Sequence, residues 1–496
     1  MQRQTLPTEE NLDPADWEQA RALAHQMMDD AIDYLRDVAQ NPVWSKTPDT
    51  TKQLTTQPLP RLGTPVEDIY ADFKTHILPY NKGNVHPRFF SWVQGNGTLT
   101  GALGDMLASV MNPNVAIGDH AAMYVDAQVI EWSKEMFGFP PTASGILLSG
   151  GSVANITAIA VARNAFSEQV RGQGLYAFEG RMLIYCSTET HACIQKAAEM
   201  IGIGSEQLRR IGVDAQYRMD ITDLERQIAQ DKAEGFLPFC IVGTAGTVNT
   251  GAIDPLDDIL SICRREQLWF HIDGAFGALA KLAPEFSTAL QAIEQADSLA
   301  FDFHKWLYIN YEVGCTLIRD GQKHRAAFAL QPSYLLSHER GLPAGPDPIT
   351  NYGMELSRGF KALKIWMSLR EHGIEKYARL VAQNIEQARY LGQLVTENDD
   401  VELLVPVSMN IVCLRFRPKN INDDEVLNAL NKEILMQLHE HGIAAPSFTI
   451  LRGKYVIRVC IVNHRTTNAD LVATLQGILD IGNTLLTNII TPNTAR

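Results

Sequence analysis

The chain has 496 residues, 45% of them apolar, and a formal net charge of −14. This length can bury more than one core and fits roughly two to four domains; the acidic balance, with no Lys/Arg-rich block to offset it, argues against nucleic acid or an anionic membrane surface as partner and for a small molecule. No stretch approaches the ~20 continuous apolar residues of a membrane span. The polar, acidic opening MQRQTLPTEENLDPADWEQA is unlike a secretory leader. Cys186, Cys193, Cys240, Cys263, Cys315, Cys413 and Cys460 are odd in number, lie in apolar runs and include no CxxC pair. They read as free buried thiols in a reducing compartment, so a cytoplasmic location is expected, and no metal site.

Residues 1–85 read as helices joined by Pro-punctuated connectors. WEQARALAHQMMDDAIDYLRDV (17–38) sets Ala24, Met28, Ile32 and Leu35 at helical spacing. So few elements cannot close a core alone, and this helical arm is expected to pack on another domain or subunit. From about 140 to 320, short apolar runs alternate with longer amphipathic ones: GILLS, VANITAIAVARNAF, MLIYCS, HACIQKAAEMIG, FCIVGTAG, PLDDILSICRRE, LWFHID, SLAFDF, VGCTLIRD. This is the pattern of a parallel sheet covered by helices on both faces, a doubly wound α/β fold that binds ligands at the carboxyl ends of its strands. The large domain is expected over 86–380. After the Pro/Gly-rich stretch 333–353 one long helical run is expected from Arg358 to about Tyr390. The remainder, 381–496, reads as a small C-terminal α+β domain with a hairpin turning at Arg452-Gly453-Lys454.

Three features fall at strand ends. Ser149-Gly150-Gly151-Ser152 follows the strand GILL and opens a helix, where close-approaching backbone, free N–H groups and the helix dipole cradle an anion such as phosphate. Alone, the same four residues read equally as a serine-capped turn. Asp273 ends LWFHID, where a carboxylate faces the ligand crevice or caps the next helix. Lys305 stands inside FDFHKWLYINYEVGC (301–315), a run of aromatic and branched apolar residues. Desolvation there would neutralise its amine and make it a nucleophile able to form a Schiff base; the alternative is a lysine that runs its stem along apolar surface to reach water. Together the three meet the needs of pyridoxal 5'-phosphate: a phosphate cradle, a partner for the pyridinium nitrogen and an amine for the aldehyde.

SGGSVANITAIAVAR (149–163), STETHACIQKAAEMIGIG (187–204), GTAGTVNTGAIDPLDDI (243–259), WFHIDGAFGA (269–278) and DFHKWLYINYEVGC (302–315) occur in the order and spacing that resemble the pyridoxal-phosphate-dependent group II amino-acid decarboxylases, the aromatic-L-amino-acid enzymes among them. The resemblance implies a type I, aspartate-aminotransferase-like fold with a mainly parallel seven-stranded sheet, helices on both faces and a small C-terminal α+β domain. It implies that Lys305 bonds the cofactor aldehyde, Asp273 pairs with the pyridine nitrogen and His191 stacks on the ring. Gly151, Ser152 and His304 would hold the phosphate, Thr244 or Thr247 and Ala275 would line the ring, and Asp302 would contact the cofactor. Tyr334, in QPSYLLS, matches the loop tyrosine that returns a proton to Cα, and a tyrosine there with a histidine at 191 favours amine over aldehyde as product. A homodimer with the active site at the subunit interface is implied as well, which would give the N-terminal arm its place.

The resemblance implies that the substrate is an L-amino acid that loses its α-carboxylate. Ser357 sits where the resemblance places a serine for phenolic substrates, favouring a tyrosine- or DOPA-like side chain. Against it, HPRFFSWVQGNGT (86–98) carries Gln94-Gly95 where aromatic-acid enzymes have Pro-Thr; Trp92 and Phe90 could still supply an aromatic wall, though aromatics in such a stretch are more often core. Val153 after SGGS and Phe303 before HK are further departures that touch no reacting group. An acidic or aliphatic substrate, an oxidative aldehyde-forming decarboxylase, another carbon–carbon lyase and a catalytically silent binder are the competing readings.

Overall fold

The computed structural model describes residues 10–177, 179–330 and 339–490, and the chain divides between Lys82 and Gly83 into two compact units. In the first, the helix Trp17–Arg36 begins where the Asp16 carboxylate accepts the Glu18 and Gln19 amide protons. Asp30 on this helix accepts a hydrogen bond from the Tyr70 hydroxyl (2.7 Å) and pairs with Lys74 Nζ at 3.2 Å. No residue of the helix is buried.

Among the described residues the second unit holds twelve strands: β1 (Phe89–Phe90), β2 (Ser144–Leu148), β3 (Met182–Ser187), β4 (Leu208–Ile211), β5 (Leu237–Thr244), β6 (Trp269–Asp273), β7 (Ser298–Asp302), β8 (Gly314–Ile318), β9 (Val401–Leu403), β10 (Ile411–Phe416), β11 (Ala445–Leu451) and β12 (Lys454–Cys460). Seven form one sheet in the order β2-β8-β7-β6-β5-β3-β4. β3, β6, β7 and β8 are buried along their whole length, as a sheet covered on both faces requires. Helices Gly151–Phe166, Cys193–Met200, Ile221–Ala233 and Leu256–Glu266 cross between successive strands and keep them parallel. The connection 303–313 contains no such helix, and β8 runs antiparallel to both neighbours, β7 and β2. The sequence pattern did not show β4, because its two middle residues are Arg209 and Arg210. It is an edge strand, and Arg209 reaches the buried Asp231 carboxylate at 3.0 Å.

The expected helical run from Arg358 to Tyr390 is two helices, Ala362–His372 and Ile374–Thr396, divided at Gly373. The C-terminal strands form a five-stranded sheet, β1-β11-β12-β10-β9, with the β11–β12 hairpin turning at Arg452 and Gly453. Helices Asp424–Glu440 and Asn468–Ile490 contribute Leu430, Ile434, Leu471 and Ile478 to the core behind it. β1 pairs parallel with β11 through Phe89↔Ala445 and Phe90↔Pro446. Phe90 is thereby fixed in the core of this sheet and forms no wall of a ligand pocket.

Candidate active site

Register brings the strand-end residues together. Thr244 on β5 lies beside Asp273 on β6, and Asp273 beside Ala300 on β7; on the other flank Leu148, which precedes SGGS, and Asp302 both pair with Gly314. They surround a cavity of about 470 Å³ lined by Ser149, Gly150, Gly151, Ser152, His191, Thr244, Asp273, Ala275, Asp302, His304 and Lys305, with Trp92 and Gln94 at its side. Thr247 does not line it: its hydroxyl is buried against that of Thr250 at 3.0 Å. Ser357 is exposed and lies outside the cavity lining. Tyr334 lies outside the described residues. Asn155, Cys193, Val248, Phe276, Tyr311 and Glu312 also line the cavity and were not singled out from the sequence; Tyr311 and Glu312 lie within the quoted lysine segment, where the signal was available.

The apolar run around Lys305 has an architectural explanation. Phe301, Phe303, Trp306, Leu307, Tyr308 and Ile309 are fully buried, and their two polar tips meet one acceptor: Trp306 Nε1–H and the Tyr308 hydroxyl donate to Asn384 Oδ1 at 3.0 and 2.8 Å. The chain reverses between β7 and β8 around these anchors and leaves Lys305, with Asp302 and His304, facing the cavity.

Desolvation does not act on the amine alone. Lys305 Nζ stands 2.9 Å from Asp302 Oδ2. Burial alone would lower its pKa, but the charge and hydrogen bond of Asp302, with Asp273 and Tyr311 behind, outweigh burial and raise it. His304 Nδ1 lies against the Val313 backbone at 2.9 Å, and its ring packs 4.3 Å from that of Tyr311. Desolvation keeps His304 neutral, lowering its pKa against the pull of Asp302, and pushes the Tyr311 phenol up to about 12. His191 accepts the Cys193 amide proton at Nδ1 (3.2 Å) and is open to the cavity; desolvation, aided by the Lys305 charge, lowers its pKa although Asp273 opposes. Gln94 is followed by Gly95, where a Cβ would run into the His304 carbonyl oxygen and come within 2.6 Å of that of Lys305. The Gln-Gly dipeptide therefore reflects close backbone packing on the lysine segment.

The sequence profile of the pyridoxal-dependent decarboxylase conserved domain matches residues 48–417. The chain belongs to the pyridoxal-dependent decarboxylase family. The decarboxylase is 33% identical to an aromatic-L-amino-acid decarboxylase of Bacillus atrophaeus over 93% of this chain and 95% of that one, and 29% identical to tyrosine decarboxylase 2 of Narcissus pseudonarcissus, covering 91% and 92%. A crystal structure of Oryza sativa TDC with PLP and tryptamine shares its fold, with a TM-score of 0.87 at 24% identity, over 96% of this chain and all of that one. The present enzyme is thus a pyridoxal-phosphate-dependent amino-acid decarboxylase. Its residues fit that cofactor on three counts. Asp302 Oδ1 is buried with no partner. Any side chain at Gly151 would crowd Asp302 Oδ2, at 2.8 Å, so the backbone of the Gly151–Phe166 helix start is bare toward the cavity. Asp273 is a buried carboxylate at the cavity, held by the Ala275 amide at 3.2 Å.

Proposed function

We propose that this decarboxylase converts an aromatic L-amino acid of the tyrosine or DOPA kind to the corresponding amine and carbon dioxide. The observation that carries the reading is the cavity: two buried carboxylates and one lysine at its floor, with Trp92, Val248, Phe276 and Tyr311 as an aromatic and apolar wall. The names of the relatives, aromatic-L-amino-acid and tyrosine decarboxylases, support the same substrate class.

Pyridoxal 5'-phosphate supplies the aldehyde that captures the substrate amine and the ring that accepts the electrons of the breaking Cα–carboxylate bond. The chain's own residues do the rest. Gly151 and Ser152, at the amino end of a helix whose dipole favours an anion, take the phosphate together with neutral His304. Asp273 would hold a proton on the ring nitrogen. His191, neutral, would cover the ring face, and Thr244 and Ala275, which line the same cavity, would border its edge. Lys305 offers the amine, and Asp302, 2.9 Å away, orients it. Tyr334 is assigned the return of a proton to Cα. Trp92 and Gln94 border the substrate side chain.

Two exposed apolar surfaces support a homodimer. On the helix Leu99–Met111, Leu99, Met106, Leu107, Val110 and Met111 are exposed, and in the N-terminal unit Trp17, Leu59, Leu62 and Ile69 are exposed too. Among the described residues no helix is long and apolar enough to cross a membrane.

The test follows carbon dioxide, amine and oxygen while tyrosine, DOPA, tryptophan, phenylalanine, glutamate and 2,4-diaminobutyrate are supplied singly to wild type and Lys305→Ala. Equal amine and carbon dioxide from a phenolic substrate, no oxygen uptake and an inactive variant support the proposal. Turnover of only acidic or aliphatic substrates, or aldehyde with oxygen consumption, refutes it.

A further inference from the structure

Behind the cavity runs a chain of buried side chains whose hydrogen-bond directions can be worked out one by one. The Gly151 carbonyl can only accept, so the Asn155 atom 2.8 Å from it is the amide nitrogen. That fixes the orientation of the amide: Nδ2 also points at Cys193 Sγ (3.4 Å), and Oδ1 faces His271 Nε2 at 2.7 Å. Oδ1 is an acceptor, so Nε2 carries the proton. Trp269 Nε1–H, a donor only, gives its proton to Ser298 Oγ at 2.8 Å. The Ser298 hydroxyl is then free to donate to His271 Nδ1, 2.9 Å away, which in a neutral imidazole with Nε2–H is the acceptor. At the far end, the Cys193 thiol lies 3.9 Å from Asp273 Oδ2 and is oriented as its donor. Every member is buried.

We propose that His271 and Asn155 are positioning residues: the chain Trp269–Ser298–His271–Asn155 fixes His271 as the Nε2–H tautomer, so that Asn155 ties the phosphate-cradling turn at Gly151 to the Cys193–Asp273 pair. The two ends of the cofactor are thereby held at one distance by a single amide. This rests on the reading above that Gly151 and Asp273 take the phosphate and the ring nitrogen. Burial holds the His271 pKa at about 4, so the tautomer is not lost to protonation at neutral pH. His271 reaches neither cavity nor cofactor and acts only through Asn155.

The test measures pyridoxal-phosphate affinity by titration of the apo-enzyme, the pH midpoint of the visible cofactor band, and melting of the apo-protein. Losing one hydrogen bond of this kind is expected to weaken cofactor binding about tenfold. His271→Leu and Asn155→Ala are expected to show that loss and to move the pH midpoint, because the Cys193 thiol that faces Asp273 loses the amide that holds it. His271→Gln, whose side-chain nitrogen can occupy the Nε2 position, is expected to restore affinity to within about threefold of wild type. Should His271→Leu not fold, Ser298→Ala removes the donor to Nδ1 and leaves the imidazole in place; it is expected to weaken cofactor binding with little change in apo-protein melting. Unchanged affinity and pH midpoint in Asn155→Ala overturn the proposal, and so does His271→Gln behaving as His271→Leu. The underlying reading fails separately: a wild type that takes up no cofactor, or a Lys305→Ala variant that keeps the visible band, overturns the site itself.

Discussion

Replacing Asn384 with leucine should destabilise the enzyme out of proportion to the small change in volume. Asn384 is fully buried on the helix Ile374–Thr396, and its Oδ1 accepts from both Trp306 Nε1–H and the Tyr308 hydroxyl. Its Nδ2 donates to Gln387 Oε1 at 2.9 Å and to the Asn463 carbonyl at 3.3 Å. Leucine orphans two buried donors at once. At about 1–3 kcal/mol for each unmet group the cost is about 2–6 kcal/mol, a large share of a typical stability of about 5–15 kcal/mol. Urea unfolding of the apo-enzyme measures it, and a second arm isolates the cause: in Asn384→Leu/Tyr308→Phe one orphan has been removed, so the double variant should lose less than the sum of the two singles. Because Trp306 and Tyr308 flank the segment that carries Lys305, cofactor affinity should fall as well. A cost below about 1 kcal/mol, or strict additivity in the double variant, would refute the claim that Asn384 anchors this segment.

Gly95→Ala drives a methyl group into the His304 and Lys305 carbonyls, which are backbone and cannot swing aside; a stability loss of about 1–3 kcal/mol is expected by urea unfolding, together with weakened cofactor binding, and a variant indistinguishable from wild type removes the reasoning. Five histidines, 191, 271, 304, 324 and 464, have pKa values lowered by burial, against three aspartates, 126, 254 and 297, raised by it. A histidine lowered in the fold takes up its proton on unfolding below about pH 6.5, whereas a raised aspartate gives one up. With five against three the unfolded state binds more protons, so the urea midpoint should fall as pH drops from 6.5 to 5, by about 1.4 kcal/mol per pH unit for each net proton; a flat or rising midpoint contradicts the burial assignments. All seven cysteines are free and buried, and burial raises every thiol pKa. A chromogenic disulfide reagent should therefore find at most the cavity-lining Cys193 in the native enzyme and seven per chain in denaturant; rapid native labelling of any of the other six refutes this.

The parallel sheet was legible because its strands are short apolar runs punctuated by amphipathic helices, and the site because chemistry-bearing residues stand where those runs end. β4 was not, since LRRI has two arginines where a buried strand would have apolar residues and takes its place through pairing with β3. The break at Gly373 was hidden inside a pattern whose helical period is nearly continuous on both sides. Lys305 was found by its improbable surroundings, but the carboxylate that offsets desolvation was not, because it is a matter of rotamer and distance: Asp302 stands three residues upstream and its oxygen 2.9 Å away. Phe90 reads in the sequence as either a core or a pocket aromatic, and its pairing with Pro446, more than 350 residues along the chain, shows it to be core.

The reversal between β7 and β8 bears on the order of assembly. Both strands and the lysine between them come from residues 298–318, so their pairing closes a very short loop, whereas Asp273 and the Gly151 turn join the site through contacts made across much longer stretches of chain. The reactive amine can thus be presented by a local hairpin while the cofactor's other anchors are still unassembled. In this molecule capture of the cofactor reports on completion of the sheet and not on formation of the segment that bonds to it, which makes cofactor uptake a natural late marker of folding.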